Sequence, residues 1–319
     1  MVPRVVALWI LCGGCAFAVQ SAGFELSGQM VPAFGGRAAL FGTASPFSAT
    51  TFIDVTGRFH FKKLRPGLYN LSIFSRRRGE ARRTVEIGPA SADAKGRVAL
   101  RLELKDSDFV FAATANRQLI SARQLAIPGA AQRDYAEAQR ELQRHNTEAA
   151  VKRLERAVAR APQFSPAWNS LGVIAYQMQQ YDRAEECFRN ALESDPRAFE
   201  PLVNLGGVMV SLHKLDEAMD YNLKAVLQRP NDALANAQLG MTYFMLGRYD
   251  LASKYLERTR EIDPANMTYP QLMLSQIHVR RGDRSAAASD LEDFLMRHPD
   301  WPQAVKMRET IAGLRAGAR

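Results

Sequence analysis

The sequence predicts two folds in series, a small β-sandwich followed by an all-α solenoid. Three observations carry this. Prolines at 162, 196, 230, 264 and 299 recur at 34, 34, 34 and 35 residues, a spacing that marks a repeat array. The apolar pattern changes from alternation in the first half to a helical stripe in the second. Gly, Pro and Asp punctuate the first half every few residues, as strand-and-turn structure requires. With 319 residues, the chain exceeds one ordinary domain of roughly 100–200 residues.

The amino terminus reads as a targeting segment. Arg4 precedes an uncharged apolar stretch, Val5 to Ala18, that ends in Ala16-Phe17-Ala18. A basic end, a short apolar run and a small-x-small terminus describe a secretory signal peptide over 1–18, with the mature chain starting near Val19. A rival reading makes Cys15 a lipid-attachment site, turning the protein from a periplasmic or secreted one into an anchored one. Cleavage removes Cys12 and Cys15 and leaves Cys187 alone among the three cysteines, so no internal disulfide is expected.

From 19 to 104 the runs Phe59-His60-Phe61, Leu68 to Ile73 and Val98 to Leu104 alternate as strands do. Asp54-x-x-Gly57 feeds one strand and Pro66-Gly67 reverses the chain into the next. The combined string, Asp54-x-x-Gly57-x-Phe59-x-Phe61 through Pro66-Gly67-x-Tyr69-x-Leu71, resembles the carboxypeptidase-regulatory-like domain. That resemblance implies a transthyretin-like sandwich, classed with carbohydrate-binding-like folds, and no peptidase activity. Residues 105–130 form a linker, with a last strand expected between Ile120 and Pro128.

From 131 the helical period takes over. Trp168, Leu171, Gly172 and Ala175 share one helix stripe, and Ala184, Phe188 and Ala191 another, so each unit is a helical hairpin. Gly172, Gly206 and Gly240 each weaken a helix by about 1 kcal/mol relative to Ala, and close approach of the paired helix explains them. Trp168-x-x-Leu171-Gly172 with Tyr181, Ala184, Phe188, Ala191 and Pro196 resembles the tetratricopeptide repeat. Leu205-Gly206, Ala218, Ala225 and Pro230 repeat the pattern, as do Leu239-Gly240, Tyr243, Tyr249, Ala252 and Pro264. Five units follow: 131–164, 165–198, 199–232, 233–267 and 268–301, with a capping helix in 302–319. The first unit departs from the pattern at Glu137-Ala138 and the fifth at Gln271 and Leu274-Ser275, as terminal units facing water do.

Charge locates a second feature. Residues 24–131 hold 16 Lys or Arg against 8 Asp or Glu, whereas 132–319 hold 25 of each. The excess is densest at Arg76, Arg77, Arg78, Arg82 and Arg83, read as the turn after the Leu68 strand. Either this is a solvated tip, or it is a patch for anionic lipid or polysaccharide. Nucleic acid is set aside because export removes it and no aromatic platform accompanies the arginines.

No catalytic constellation is found. His60, His145, His213, His278 and His298 lack ligand spacing, and no nucleophile elbow, phosphate loop or dinucleotide fingerprint occurs. The chain is therefore read as a non-enzyme without cofactor or metal. The repeat resemblance implies a concave groove lined by first helices, which receives a protein or peptide partner. Its lining is expected to include Asn169, Val173, Tyr176, Val203, Asn204, Val210, Met241, Phe244, Met245, Leu272 and Val279. The lysines of the family's carboxylate clamp are missing, so that role is not carried over. The reading is an exported interaction scaffold of the cell envelope. Its alternative is a polysaccharide-binding or assembly factor acting through the sandwich, although the sandwich has no Trp and its motif turns Tyr69 inward.

Overall fold

The computed structural model describes residues 23–110, 126–266, 268–299 and 301–317. The expected signal segment, Cys15 and most of the expected last strand lie outside these residues. Among the described residues, no helix is long and apolar enough to cross a membrane.

Among the described residues, seven strands form the first half: β1 (Phe24–Val31), β2 (Gly36–Gly42), β3 (Ser48–Ile53), β4 (Arg58–Leu64), β5 (Gly67–Ser75), β6 (Gly79–Ile87) and β7 (Arg97–Glu103). They make a three-stranded sheet, β4-β1-β7, and a four-stranded sheet, β3-β2-β5-β6. The inner faces share one core that includes Leu26, Leu40, Phe61, Leu71 and Ile73. Asp54 shapes the turn into β4, its Oδ1 accepting from the Thr56 and Arg58 amides at 2.8 and 3.0 Å, while Gly57 takes φ +82°.

The corner at Pro66-Gly67 corrects the expected hairpin. β4 and β5 lie in different sheets, so the corner carries the chain across the sandwich. Tyr69, 2% exposed, ties it down by donating its hydroxyl to the Arg65 carbonyl at 2.7 Å. β5 pairs instead with β6, from Gly67↔Ile87 to Ser75↔Gly79.

Among the described residues, eleven α-helices follow, arranged as five hairpins and a cap: α1 (Gly129–Gln143) with α2 (Thr147–Arg160), α3 (Ser165–Gln177) with α4 (Tyr181–Ser194), α5 (Phe199–Ser211) with α6 (Leu215–Gln228), α7 (Ala233–Met245) with α8 (Tyr249–Ile262), α9 (Pro270–Arg280) with α10 (Arg284–Arg297), then α11 (Ala304–Ala316). The helix glycines sit where the partner helix comes close. A Cβ on Gly172 would meet the Phe188 ring at 2.6 Å, and one on Gly240 would meet Leu256 Cγ at 2.8 Å. Each hairpin turn holds one residue in the left-handed region: His145 (φ 59°), Gln179 (60°), His213 (58°), Gly247 (72°) and Gly282 (79°). Successive first helices, α3 with α5, α5 with α7 and α7 with α9, approach one another more closely than the second helices do, which puts the first helices on the inside of the curve. Trp168 is half-buried and donates its indole N–H to the Pro162 carbonyl at 2.8 Å.

Candidate functional site

The inner surface of the array is built from the first helices, because their neighbours are other first helices. Asn204 donates to Asn169 at 3.1 Å across α5 and α3. Tyr176 is 39% exposed, its hydroxyl 3.4 Å from Ser211 Oγ. Met245 and Val279, at the same ends of α7 and α9, are 39% and 45% exposed. Val173 and Met241 are half-buried against one inter-helix cluster, Phe244 against the next, and Leu272 against the last. Val203 and Val210 depart from the expected lining: at 1% and 7% exposure they fill the space between helices. The valines pack into these inter-helix clusters, while Tyr176, Met245 and Val279 remain accessible near the ends of their helices.

The amino-terminal ends of α5 and α7 meet the sandwich and receive Arg82 of the arginine cluster. Only Arg76 and Arg77 stand exposed at the β5–β6 turn. Arg78 lies over the rings of Phe34 and Phe109, at 5.0 and 5.8 Å, and pairs with Asp106. Arg83 pairs with Asp108 at 3.1 Å. Arg82 points out of β6 into the array, 2.7 Å from Glu200 and 3.6 Å from Asp232. The five arginines therefore do not form one patch: two belong to β6, whose alternation sends its even-numbered side chains toward the helices.

β6 runs across successive inter-unit turns. Glu80 meets Arg229 at 3.2 Å. Two residues on, Arg82 meets Glu200 and Asp232. Thr84 donates both its amide and its hydroxyl to Asp263, at 3.0 and 2.7 Å. Glu86 lies 3.7 Å from His298. Asp232 does double duty, since its Oδ1 also caps α7 by accepting from the Ala235 amide. Phe199 lies beneath the guanidiniums of Arg229 and Arg82, at 4.0 and 5.5 Å. At the other side of the sandwich, Gln177 donates to the Gly42 carbonyl at 2.9 Å, and Phe47 stacks on His145 at 4.9 Å.

Burial sets the electrostatics of this seam. It pushes the Glu80 carboxyl up, but the guanidinium of Arg82, hydrogen bonds from Arg82 and Ser72, and the charge of Arg229 outweigh it and hold Glu80 at about 2. Burial likewise opposes the charge on Arg82, and Glu80, Asp232 and Glu200 more than restore it. At Asp263 burial wins over the Thr84 hydrogen bonds, and its carboxyl is raised. Cys187 is buried, which lifts its thiol to about 11. Among the described residues no three His, Cys, Asp or Glu side chains are placed to hold a metal.

Sequence reasoning missed Glu80, Glu200, Arg229, Asp232 and Asp263. Their partners lie as far as 179 residues away in the chain, and each looks like an ordinary helix-end or strand-surface charge. The alternation of β6 was the available signal.

Comparison with known proteins places this architecture. Residues 133–263 match the family described as the cilia and flagella-associated protein 70 middle TPR-like domain. A human relative, cell division cycle protein 16 homolog, is 29% identical over 162 residues, 47% of this chain and 26% of that protein. The chain thus spans about a quarter of the length of that curated relative. Among solved structures, MamA residues 41 to the end from Desulfovibrio magneticus RS-1 aligns with a TM-score of 0.50 at 21% identity, over 55% of this chain and 98% of that one. The structure titled for functional characterization of Pseudomonas aeruginosa pilF gives 0.50 at 21% identity, over 61% and 90%. The helical half has the fold of a tetratricopeptide-repeat-like solenoid.

Proposed function

We propose that the protein is an exported, non-enzymatic scaffold of the cell envelope that holds a protein or peptide segment along the inner face of its repeat array. The observation that carries this reading is the row of Tyr176, Met245 and Val279, 39–45% exposed at equivalent ends of α3, α7 and α9. Methionine and aromatic side chains on one face suit an apolar partner segment of variable shape. Export rests on Arg4 and the apolar run that follows it. The amino-terminal sandwich is read as a carboxypeptidase-regulatory-like domain on the motif through Tyr69, and its docking onto the array makes it a rigid wall beside the groove.

The test is a Tyr176→Ser, Met245→Ser, Val279→Ser triple variant, crosslinked in cells beside the wild type. Loss of the wild type's crosslinked partner band with an unchanged melting temperature is expected. Each such contact is worth roughly 2 kcal/mol where it is a hot spot. Full retention of the band overturns the groove assignment. Amino-terminal sequencing of the mature protein checks export separately: a start near Val19 is expected, and an intact Met1 overturns it.

A further inference from the structure

The array meets the four-stranded sheet along β6 and at Gly42 and Phe47. The outer face of β4-β1-β7 is open and carries a cleft of about 680 Å³. Its floor is ordered by strand register. Arg58, Gln29 and Arg101 form one cross-strand row, and His60, Ser27 and Ala99 the next. Phe52 of β3 stands at the border, 83% exposed.

We infer that this cleft is a binding site for an acidic polysaccharide, a chain of uronate sugars. Three features of the cleft select that chemistry. The Phe52 ring offers the apolar platform on which the C–H face of a sugar stacks, a role the inward-facing Tyr69 cannot fill. Ser27, Thr51 and His60 can both donate and accept, as the exchange of hydrogen bonds with hydroxyls demands, while Gln29, bonded to the Met30 and Thr56 carbonyls, holds the floor between them. Arg58 and Arg101 stand at the ends of one row, their backbones two strand spacings or about 10 Å apart, and a guanidinium fork matches a carboxylate.

Both arginines are free to respond. Arg58 spends only its Nε on Gln29, at 3.3 Å. Arg101 pairs with Glu103 in the open, where the two side chains are 70% and 72% exposed, and such a pair is worth little against a ligand carboxylate. Asp54 on the rim, with Glu25 and Glu103 nearby on the same sheet face, disfavours a dense polyphosphate. Carboxylates spaced along a chain whose hydroxyls can donate to Asp54 are accommodated. The same acidic groups, with the exposed ring, argue against an acidic peptide. This site shares no residue with the repeat groove, so it stands or falls independently of the partner bound there.

Calorimetric titration of the full chain with polygalacturonate oligomers tests the inference, with their methyl esters and poly-L-glutamate as comparisons. Binding to polygalacturonate is expected, weakened at least tenfold by esterification. Phe52→Ala, and Arg58→Gln with Arg101→Gln, should each weaken it about tenfold or more, while Phe52→Trp retains it. Melting temperatures should not move, since all three side chains lie at the surface. No binding, or equal binding of poly-L-glutamate with no loss in Phe52→Ala, overturns the proposal. Undiminished binding of the methyl ester overturns its acidic-sugar specificity.

Discussion

Arg82 is the side chain on which the seam between sandwich and array turns. It is surrounded by Glu80, Glu200 and Asp232, so Arg82→Ala leaves the buried Asp232 without its cation and Glu80 and Glu200 with Arg229 alone. Breaking a buried pair in this way costs about 3–5 kcal/mol, and equilibrium urea unfolding should show a loss toward the lower figure because the Arg82 side chain keeps 26% of its exposure. Glu80 gives the seam a pH dependence. Its carboxyl lies at about 2 in the fold against an ordinary value of 4.5. Its contribution is therefore complete above pH 4.5 and is lost as pH falls toward 2. Thermal melts of Glu80→Gln should be flatter than wild type over that window. Asp263 has the opposite sign: its carboxyl is raised above 3.8 by burial, so ionisation works against the fold as pH rises. Asp263→Asn keeps an oxygen for Thr84 and removes that penalty. Its melting temperature should exceed the wild type's at pH 7, the difference closing as pH falls to 4.

At the scale of the element, the hairpins are governed by two positions per unit. The first is the helix glycine. Gly172→Ala gains about 1 kcal/mol in helix propensity but drives a methyl group to 2.6 Å from the Phe188 ring. Overpacking of about 1–3 kcal/mol should win, and a lower urea midpoint with an unchanged slope is expected. The second is the left-handed turn residue. His213 occupies it at φ 58° and is exposed. A side chain pays about 1–2 kcal/mol for that conformation, so His213→Gly should raise stability by about 0.5 kcal/mol or more after the loss from a more flexible unfolded chain. His145 occupies the same position, but its ring stacks on Phe47, and replacing it removes a contact with the sandwich.

For the whole molecule, the contacts between sandwich and array predict that the two unfold as one cooperative body. A sandwich joined to a repeat array through a linker would be expected to unfold in two steps. The seam along β6, the Gln177 hydrogen bond and the Phe47–His145 stack instead tie the sandwich to all five units. Calorimetry of the wild type should give one transition. Arg82→Ala combined with Thr84→Val should split it in two, and a transition that stays single in this variant would place the coupling elsewhere. The seam also leaves two separate surfaces, the ends of the first helices and the open sheet of the sandwich, available to different ligands.

Some of this was written locally in the chain. Helical stripes, the evenly spaced prolines and the glycines opposite bulky residues define the hairpins because each depends on neighbours within one repeat. The turn from Asp54 to Gly57 was equally legible, since a carboxylate and two amides four residues apart suffice to build it. The tertiary structure alone decided which strands share a sheet, so that Pro66-Gly67 became a crossing instead of a hairpin. It also decided the fate of the charges. Arg76 and Arg82 are six residues apart in one basic run, yet one meets water and the other meets Glu200, 118 residues away. Local sequence specifies the direction a side chain takes from its strand. What stands there to receive it depends on how distant elements pack: helix against helix buried Val203 and Val210, and sandwich against array received Arg82.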